Sequence, residues 1–463
     1  TTTSMKTAKK QCVIFYTRMK HMCGNLTVHG PSFLARSDIA FIYKFIYFII
    51  YVQVWIIAVA TIVKYYATYQ ENTIRFTTHT DYLHWNITFP SITVCEIADI
   101  EEIYQFRKKE DDDMTIPVNL IKELTFFNGI CHSCFSNYSS LNQAVVNKIM
   151  STYRTECKSL FASCKWNDRY VNCCNVFKPV VNEYGTCFTI NNKHASGHFL
   201  HVATSKENIV DKLTLTLSKN AEAFLHSPED VPFWNMEYDR RIKIADGAEA
   251  TMIFSITDIV NEPEVSLMST YERQCRFPEE LPFNFQVFQR YSYSACMIQC
   301  RIDKQLDLCN CTHYASPFYY YDRYCDLEGL RCLTKNYSKL VKLKIPGTHD
   351  TGLNCNCLPS CVESDYNIVS NKVSATKRMH RGAKVQFRLN NKPFERITRQ
   401  VARTTLDLVV AMGSCFGLCF GGSLLSIVEV VYYIFLRRCQ NFNNGETYQL
   451  YLFRGNYYYL ILQ

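Results

Sequence analysis

The feature that most constrains this chain is a long apolar segment near its C-terminus. The 21 residues between Asp407 and Glu429 carry no charge, and a membrane-spanning helix needs about 20 apolar residues. Gly421 and Gly422 stand side by side within this stretch. Glycine is a poor helix former, and non-helical backbone at membrane depth is tolerated only when protein or water surrounds it. The segment therefore predicts a membrane helix that is interrupted at residues 421–423.

Two functions are compatible with this segment, a simple membrane anchor and an ion pore. Gly413, Gly417 and Gly421 recur every four residues and are expected to share one helix face, as in an anchor that packs through small residues. In a pore, the glycines and Ser423 would instead form a constriction. Glu429 is costly in lipid and is expected to face a partner or an aqueous path. The remainder of the chain favours the pore.

A second apolar segment lies near the N-terminus. Residues 45–63 are 19 uncharged residues bounded by Lys44 and Lys64, and as a helix they span about 29 Å. This length predicts a transmembrane helix rather than a buried core helix. The basic segment before it, and Arg437 and Arg438 after the other span, predict that both termini are cytoplasmic. Everything between the two spans is then extracellular.

These arguments predict a multi-pass protein of the plasma membrane with five regions. They are a cytoplasmic arm (1–41), a first transmembrane helix (42–66), an extracellular cysteine-rich domain (67–402), a second transmembrane helix with the pore segment (403–436) and a cytoplasmic tail (437–463).

The cysteines indicate the same arrangement independently. Eighteen of the 23 lie between Cys95 and Cys361, and a dense, even-numbered set indicates disulfide bonds in an oxidising compartment. A zinc site is the alternative, but Cys131 and Cys134 form a single CxxC pair without a second one. Ten cysteines fall within residues 275–361; their spacing leaves the pairing open, although any pairing makes the region rigid.

Local patterns predict a mixed α+β domain between the spans. Alternation of apolar and polar residues predicts a strand at residues 213–218, and a β-branched apolar run predicts another at 252–260. Helical periodicity marks residues 141–150 and 292–304. The charged run at residues 107–113 is interpreted as a solvated loop.

Composition and short motifs exclude several functions. The net charge of +8 in 463 residues is too small and dispersed for nucleic-acid binding. No nucleophile–base or metal-binding motif is present, so neither enzymatic activity nor a cofactor is expected. Sequons on the predicted extracellular side are candidate glycosylation sites, at Asn86, Asn137, Asn310 and Asn336. A fifth sequon, at Asn25, falls on the cytoplasmic side and is interpreted as a chance match.

Several motifs, in order along the chain, resemble those of the degenerin/epithelial sodium channel superfamily, and most closely its insect pickpocket branch. They are VHG (28–30), FPSITVCE (89–96), NEYGTCFTIN (182–191), LHSP (225–228), YS (291–292) with Cys296 and Cys300, CLPSC (357–361) and GLCFGGS (417–423). The resemblance covers residues from about 20 to about 438.

The resemblance implies a trimer with two membrane spans per subunit and a large α+β extracellular domain containing a thumb-like cysteine cluster (275–361). It implies that His29 and Gly30 act in gating at the cytoplasmic mouth. It also implies a set of pore and selectivity residues, which are Gly417, Gly421, Gly422, Ser423 and Glu429. A structural, hydrogen-bonded role for Glu429 is the alternative.

Family disulfides are nested from first to last within the thumb. Carried over to this sequence, the resemblance implies Cys275–Cys361, Cys296–Cys357, Cys300–Cys355, Cys309–Cys332 and Cys311–Cys325. It further implies Cys95–Cys187, and Cys164 paired with either Cys173 or Cys174.

One position departs from the family pattern. Some relatives have an acid just before the pore glycines, where this chain has Ala411. Asp407 lies one helical turn earlier and is a candidate substitute for the missing charge at the outer mouth.

The resulting hypothesis is a subunit of a trimeric, sodium-selective, amiloride-sensitive, voltage-insensitive cation channel with a chemical or mechanical sensory role. The expected partners are membrane lipid, identical or related subunits and an unidentified extracellular stimulus, with no nucleic acid. Three alternatives are a two-span adhesion or receptor protein without a pore, an ectoenzyme, and a trimeric ATP-gated channel. The adjacent glycines, Ser423 and Glu429 within one span count against the first, because an anchor does not need them.

Overall fold

A computed structural model describes most of the chain. The described residues are 20, 23–71, 73–79, 88–110, 116–136, 143–195, 211–345, 347, 349, 351–362, 364–375, 382–390 and 395–432. The chain divides into two compact units, one within Thr1–Thr73 and Ala402–Gln463 and the other within Ile74–Val401. The predicted tail (437–463) lies outside the described residues.

The helices and strands of the described residues are numbered in chain order. The helices are α1 Pro31–Ala35, α2 Phe41–Glu71, α3 Ile100–Glu110, α4 Val118–Thr125, α5 Gln143–Thr152, α6 Cys157–Leu160, α7 Cys173–Val176, α8 Pro263–Ser266, α9 Thr270–Arg273, α10 Tyr293–Cys309, α11 Leu327–Lys335, α12 Tyr337–Val341, α13 Thr405–Phe420 and α14 Leu424–Val431. The strands are β1 Ile74–His79, β2 Ser91–Glu96, β3 Phe161–Trp166, β4 Arg169–Val171, β5 Lys178–Asn182, β6 Gly185–Ile190, β7 Lys212–Leu217, β8 Ala221–His226, β9 Arg241–Ile244, β10 Ala248–Asn261, β11 Asp365–Ala375, β12 Ala383–Leu389 and β13 Glu395–Val401.

The first unit consists of the apolar helices. Among the described residues, α2 alone is long and apolar enough to cross a membrane as one straight helix. It contains the predicted segment 45–63 and runs beyond the predicted limits of 42–66, from Phe41 to Glu71. Helices α13 and α14 meet the same criterion as a pair, but a 74° bend separates them. Helix α2 ends at Glu71 and α13 begins at Thr405.

The second unit contains two β-sheets. Within the described residues, an eight-stranded sheet has the order β1-β13-β10-β12-β7-β3-β4. The long strand β10 pairs with β12 through residues 249–254 and with β13 through residues 257–261. The eighth strand, β11, lies off this path and pairs with residues 248–257 of β10. A five-stranded sheet has the order β5-β6-β2-β8-β9. The strands predicted at 213–218 and 252–260 are confirmed as β7 and β10. In β10 buried and half-buried residues alternate from Ala250 to Ile256, as expected for a strand with one face toward the core. In β7 both the leucines and Thr214 are buried, so its sequence alternates more strictly than its burial does.

The helices predicted at 141–150 and 292–304 are confirmed as α5 and α10. The solvated loop predicted at 107–113 is wrong for residues 107–110, which form the end of α3. Ile103 and Arg107 lie one turn apart on this helix, and each is only 6% exposed. The guanidinium of Arg107 donates a hydrogen bond to the carbonyl of Ile116. Because a backbone carbonyl accepts a hydrogen bond from its guanidinium, Arg107 can be buried on this helix although it is charged. Residues 111–113 lie outside the described residues.

Nine disulfides use all eighteen cysteines from Cys95 to Cys361. The five bonds of the thumb-like cluster are those that the family resemblance implies. They are Cys275–Cys361, Cys296–Cys357, Cys300–Cys355, Cys309–Cys332 and Cys311–Cys325. Cys95–Cys187 also forms, and Cys164 pairs with Cys173. Two bonds had not been expected, Cys131–Cys134 and Cys157–Cys174.

A buried histidine lies inside the five-stranded sheet. His226, at the end of β8, is 1% exposed. Its Nδ1 donates to the carbonyl of Ser227 over 2.9 Å, and its Nε2 lies 2.7 Å from the hydroxyl of Thr93 on β2. Burial, which disfavours the charged imidazolium, lowers the pKa of His226 from its ordinary 6.5 to about 4.

We expect His226 to make the protein less stable as the pH falls from about 6.5 to about 4. In that window the unfolded chain binds a proton on His226 and the folded chain does not, so stability is lost on acidification. The loss is about 3 kcal/mol at pH 4. His226→Gln removes the titration and should flatten the curve of unfolding free energy against pH in the detergent-solubilised chain. Equal slopes for the two proteins would contradict the assignment.

Candidate pore and gating site

The apolar helix pair breaks at the two adjacent glycines. Helix α13 ends at Phe420, and Gly421 follows in the left-handed conformation with φ of 60°. Its amide donates to the carbonyl of Gly417 over 2.8 Å, which closes the last turn. Glycine adopts this conformation without steric cost. Of the glycines expected to share one helix face, Gly421 is therefore outside the helix, whereas Gly413 and Gly417 are within it.

The chain resumes a helix immediately after the break. Ser423 caps the start of α14, accepting a hydrogen bond from the amide of Ser426 over 3.3 Å. In return, the amide of Ser423 donates to the hydroxyl of Ser426 over 3.1 Å. This reciprocal capping satisfies backbone donors at a helix start. The interruption is thus a defined turn at residues 421–423, as the sequence predicted.

The N-terminal arm contacts this turn through His29. The amide of His29 donates to the carbonyl of Phe420 over 2.8 Å, and its ring Nδ1 lies 3.1 Å from the same oxygen. Carbonyls at the end of a helix lack partners within the helix, and here the arm supplies one. A Cβ added to Gly421 would lie 1.8 Å from Nδ1 of His29. The contact therefore requires a glycine at residue 421.

Gly30 allows an equally close approach to α2. It has φ of 111°, and a Cβ there would lie 2.3 Å from the ring of Tyr51. On the other side, Phe420 packs against Trp55 with 4.2 Å between ring centroids and against Tyr51 with 6.2 Å. Phe420 itself is 1% exposed. The predicted gating pair thus lies against both α2 and the end of α13.

Glu429 is hydrogen-bonded to the same arm. Its Oε2 accepts from the hydroxyl of Thr27 over 2.8 Å and from the amide of Thr27 over 3.2 Å. The hydroxyl of Thr27 also lies 2.8 Å from that of Ser426. The predicted structural role of Glu429 therefore has a geometric basis, and both of these hydrogen bonds come from neutral donor groups.

The remaining pore candidates have simpler surroundings. Asp407 accepts hydrogen bonds from the amide and the hydroxyl of Thr404, both over 2.8 Å, and caps the start of α13. Ala411 lies one turn further along this helix. A Cβ on Gly422 would meet the ring of Phe416 at 2.1 Å, whereas one on Gly413 would meet nothing within 4 Å.

The candidate glycosylation sites differ in their surroundings. Asn310 is exposed and ends α10 in the left-handed conformation, with φ of 55°. Asn336 is half-buried, and its side-chain amide donates to the carbonyl of Cys332 over 3.1 Å. Asn86 and Asn137 lie outside the described residues.

Sequence reasoning missed several residues of this site, namely Thr27, Tyr51, Trp55, Phe420 and Ser426. Two local signals were available. Ser423 and Ser426 have the three-residue spacing of a helix start, and Tyr51 and Trp55 are one turn apart on α2. The pairing of Thr27 with Glu429 joins positions 402 residues apart, and no short-range pattern encodes it.

The sequence is similar to those of known channel proteins. A sequence model of the family described as "Amiloride-sensitive sodium channel" matches residues 22–433. Sodium channel protein Nach of Drosophila ananassae is 22% identical over 455 residues, which cover 89% of this chain and 85% of that protein. Pickpocket protein 28 of Drosophila melanogaster is 20% identical, covering 93% of this chain and 79% of its own. The human bile acid-sensitive ion channel is 24% identical, covering 56% and 54% respectively. The chain therefore belongs to the amiloride-sensitive sodium channel family, among its insect pickpocket-like members.

Proposed function

We propose that the chain is a subunit of a trimeric cation channel of the plasma membrane that conducts sodium, is blocked by amiloride and is insensitive to voltage. Membership of a channel family supports conduction, and relatives that are named as sodium channels support the choice of ion. Helix α2 and the broken pair α13–α14 would be the two spans of each subunit, with both termini cytoplasmic. No enzymatic step or cofactor enters this function; sodium is the permeant ion.

The observation that carries the proposal is the turn between α13 and α14. A break in an apolar helix exposes backbone carbonyls, and such backbone is stable in a membrane when it lines an aqueous path. In a trimer, three copies of Ser423, with the carbonyls of Gly421 and Gly422, would form a ring of oxygen dipoles. Such a ring replaces part of the hydration shell of a cation that passes through it.

Charge at the two ends of this path would favour cations. Asp407 stands at the exposed start of α13 and would place three carboxylates at the outer mouth, one turn before Ala411. Glu429 lies on α14, beyond the turn. Rings of acidic side chains favour cations in channels. Asp407 thereby substitutes for the acid that some relatives have at the position of Ala411.

The direct test is whole-cell current in oocytes that express the chain, with external sodium exchanged for a large organic cation and with amiloride added. An inward current that requires sodium and is blocked by amiloride is the expected result. A current that is unchanged by removing sodium would contradict sodium conduction. A current that amiloride leaves intact would contradict that part of the proposal alone.

If the protein reaches the cell surface but passes no current, the next experiment is co-expression with a related pickpocket-type subunit. A current that appears only then identifies the chain as an obligate member of a hetero-trimer. Continued absence of current, with surface labelling intact, favours the alternative function, a non-conducting two-span receptor with a disulfide-rich extracellular domain. The extracellular stimulus is identified by applying chemical and mechanical stimuli separately to cells that carry the current and recording the change in that current.

A further inference from the structure

Four large apolar side chains are exposed on the segment between β10 and α10. Phe283 is 97% exposed, Leu267 87% and Tyr271 83%, and Leu281 is exposed as well. We call these four residues the apolar rim. Single apolar residues on a surface need no explanation, but several on one short segment indicate a surface that contacts something other than water.

A buried arginine fixes the two parts of the apolar rim to each other. Arg273, at the end of α9, is 3% exposed. Its Nη1 donates to the carbonyl of Met268 over 2.9 Å, and its Nη2 forms an ion pair with Glu280. Met268 follows Leu267, and Glu280 precedes Leu281. Because hydrogen bonds to charged groups are among the stronger ones in proteins, the rim is held as one surface rather than as two separate loops.

The apolar rim is bonded to the strand that leads into α13. The amide of Glu262, just before α8, donates to the carbonyl of Arg399 on β13 over 3.0 Å. Strand β13 ends at Val401, and α13 begins at Thr405. Its neighbour β1 begins at Ile74, three residues after α2 ends. The six residues of chain from Arg399 to Thr405 span at most about 20 Å. In the proposed topology, the rim therefore belongs to the end of the second unit that is next to the outer face of the membrane.

The charge around the apolar rim indicates the kind of membrane surface that it fits. Residues 262–283 contain five glutamates and two arginines. Anionic lipids give the cytoplasmic leaflet a negative surface potential, which would repel this acidic segment. The rim is therefore suited to neutral, zwitterionic headgroups, and this agrees with the extracellular side that the proposed topology assigns to it.

We propose that the apolar rim binds the outer leaflet of the membrane, with Leu267, Tyr271 and Phe283 inserted among the headgroups and upper acyl chains of neutral phospholipid. Aromatic side chains favour this interface, where an apolar ring and a polar tip are both accommodated. These contacts would attach the cysteine-rich domain to the bilayer near the strand that leads into α13. The inference rests on the proposed membrane topology and not on conduction.

The test is photo-crosslinking of the full chain in nanodiscs of phosphatidylcholine. The photoreactive residue p-benzoylphenylalanine is placed at residue 283 or at residue 271, where an exposed aromatic ring is already present, so that the change disturbs no packing. After irradiation and proteolytic digestion, mass spectrometry detects peptides that carry the mass of a lipid. We expect lipid adducts from both positions, and a smaller yield when phosphatidylserine replaces part of the phosphatidylcholine.

Tyr170 is the matched control, because it is an aromatic residue of similar exposure, 74%. It lies on β4, and β4 and β1 are the two ends of the strand order of the large sheet. The photoreactive residue at position 170 should give no lipid adduct. Phe283→Ser should lower the lipid adduct from residue 271 about tenfold, which is the effect of withdrawing one buried phenylalanine side chain, whereas Tyr170→Ser should leave that adduct unchanged.

The identity of the crosslinked partner decides the outcome. Adducts of residue 283 with a peptide of the same chain or of a neighbouring subunit would overturn the inference, because protein would then cover the rim. Lipid adducts from residue 170 as abundant as those from residue 283, or no adduct from any position of the folded chain, would also overturn it. A chain that labels as expected but carries no current would contradict the proposed function alone and leave the membrane contact established.

Discussion

Gly421→Ala is expected to abolish sodium current while the protein still reaches the cell surface. Residue 421 is in the left-handed conformation, with φ of 60°, which costs a non-glycine residue about 1–2 kcal/mol. The larger effect is steric, because the added Cβ would lie 1.8 Å from Nδ1 of His29. Either His29 leaves the carbonyl of Phe420 or the turn changes shape, and both alter the constriction. Whole-cell current and surface biotinylation, measured on the same cells, test the prediction.

Gly413→Ala is the matched control on the same helix. Residue 413 is helical, a Cβ there meets nothing within 4 Å in the subunit, and alanine favours a helix more than glycine does. This variant should retain its current and its surface level. Wild-type current in Gly421→Ala would exclude residues 421–423 as the constriction. Equal loss of current in both variants would instead indicate that close packing of the glycine-bearing helix, rather than the turn, sets conduction.

The sequence predicted the fold best where a pattern is local. Alternation over residues 213–218 became β7, and helical periodicity over 292–304 became α10. The loop prediction was wrong for residues 107–110, because charged residues usually face solvent, whereas the guanidinium of Arg107 donates to a backbone carbonyl. The pairing of strands could not be predicted from the sequence, because β10 pairs with β11, β12 and β13, which lie far from it along the chain.

The candidate site was partly predictable for the same reason. Two adjacent glycines in an apolar helix predict a break in that helix. Glu429 is a charged residue in an apolar segment, which marks it as a candidate functional residue. The gating role of His29 and Gly30 was predicted only from the resemblance to a family. By itself, a His-Gly pair predicts no more than a turn. Thr27 could not be found in this way, because its bond to Glu429 depends on how the arm folds back on α14.

The NEYGTCFTIN motif contains a residue whose importance emerges only from the structure. Glu183, between β5 and β6, forms an ion pair with Arg301 on α10, and the two side chains are 9% and 1% exposed. Arg301 also donates to the carbonyl of Leu340 over 2.8 Å and lies 5.1 Å from the ring centre of Trp234. The other carboxylate oxygen of Glu183 accepts from the amide of Trp234 over 2.7 Å. This buried pair joins the cysteine-rich helices to the five-stranded sheet.

Breaking this pair is expected to destabilise the protein more than any surface substitution. Arg301→Met leaves Glu183 charged and unpaired in the interior, which costs about 3–5 kcal/mol and should lower the apparent melting temperature of the detergent-solubilised chain by about 5–10 °C. Glu183→Gln should have a similar effect, because Arg301 then lacks its counter-charge. The double variant should be less destabilised than the sum of the two, since no isolated charge remains.

Lys304 and Asp307 provide the comparison that separates burial from charge. They form an ion pair over 2.6 Å on the same helix as Arg301, but their side chains are 43% and 66% exposed. Exposed pairs contribute about 0–1 kcal/mol, so Lys304→Met should leave the melting temperature almost unchanged. If Lys304→Met and Arg301→Met lowered it equally, loss of helix charge would explain both, and the buried pair would have no special role. A large drop confined to Arg301→Met and Glu183→Gln requires that the two residues stabilise each other in the interior.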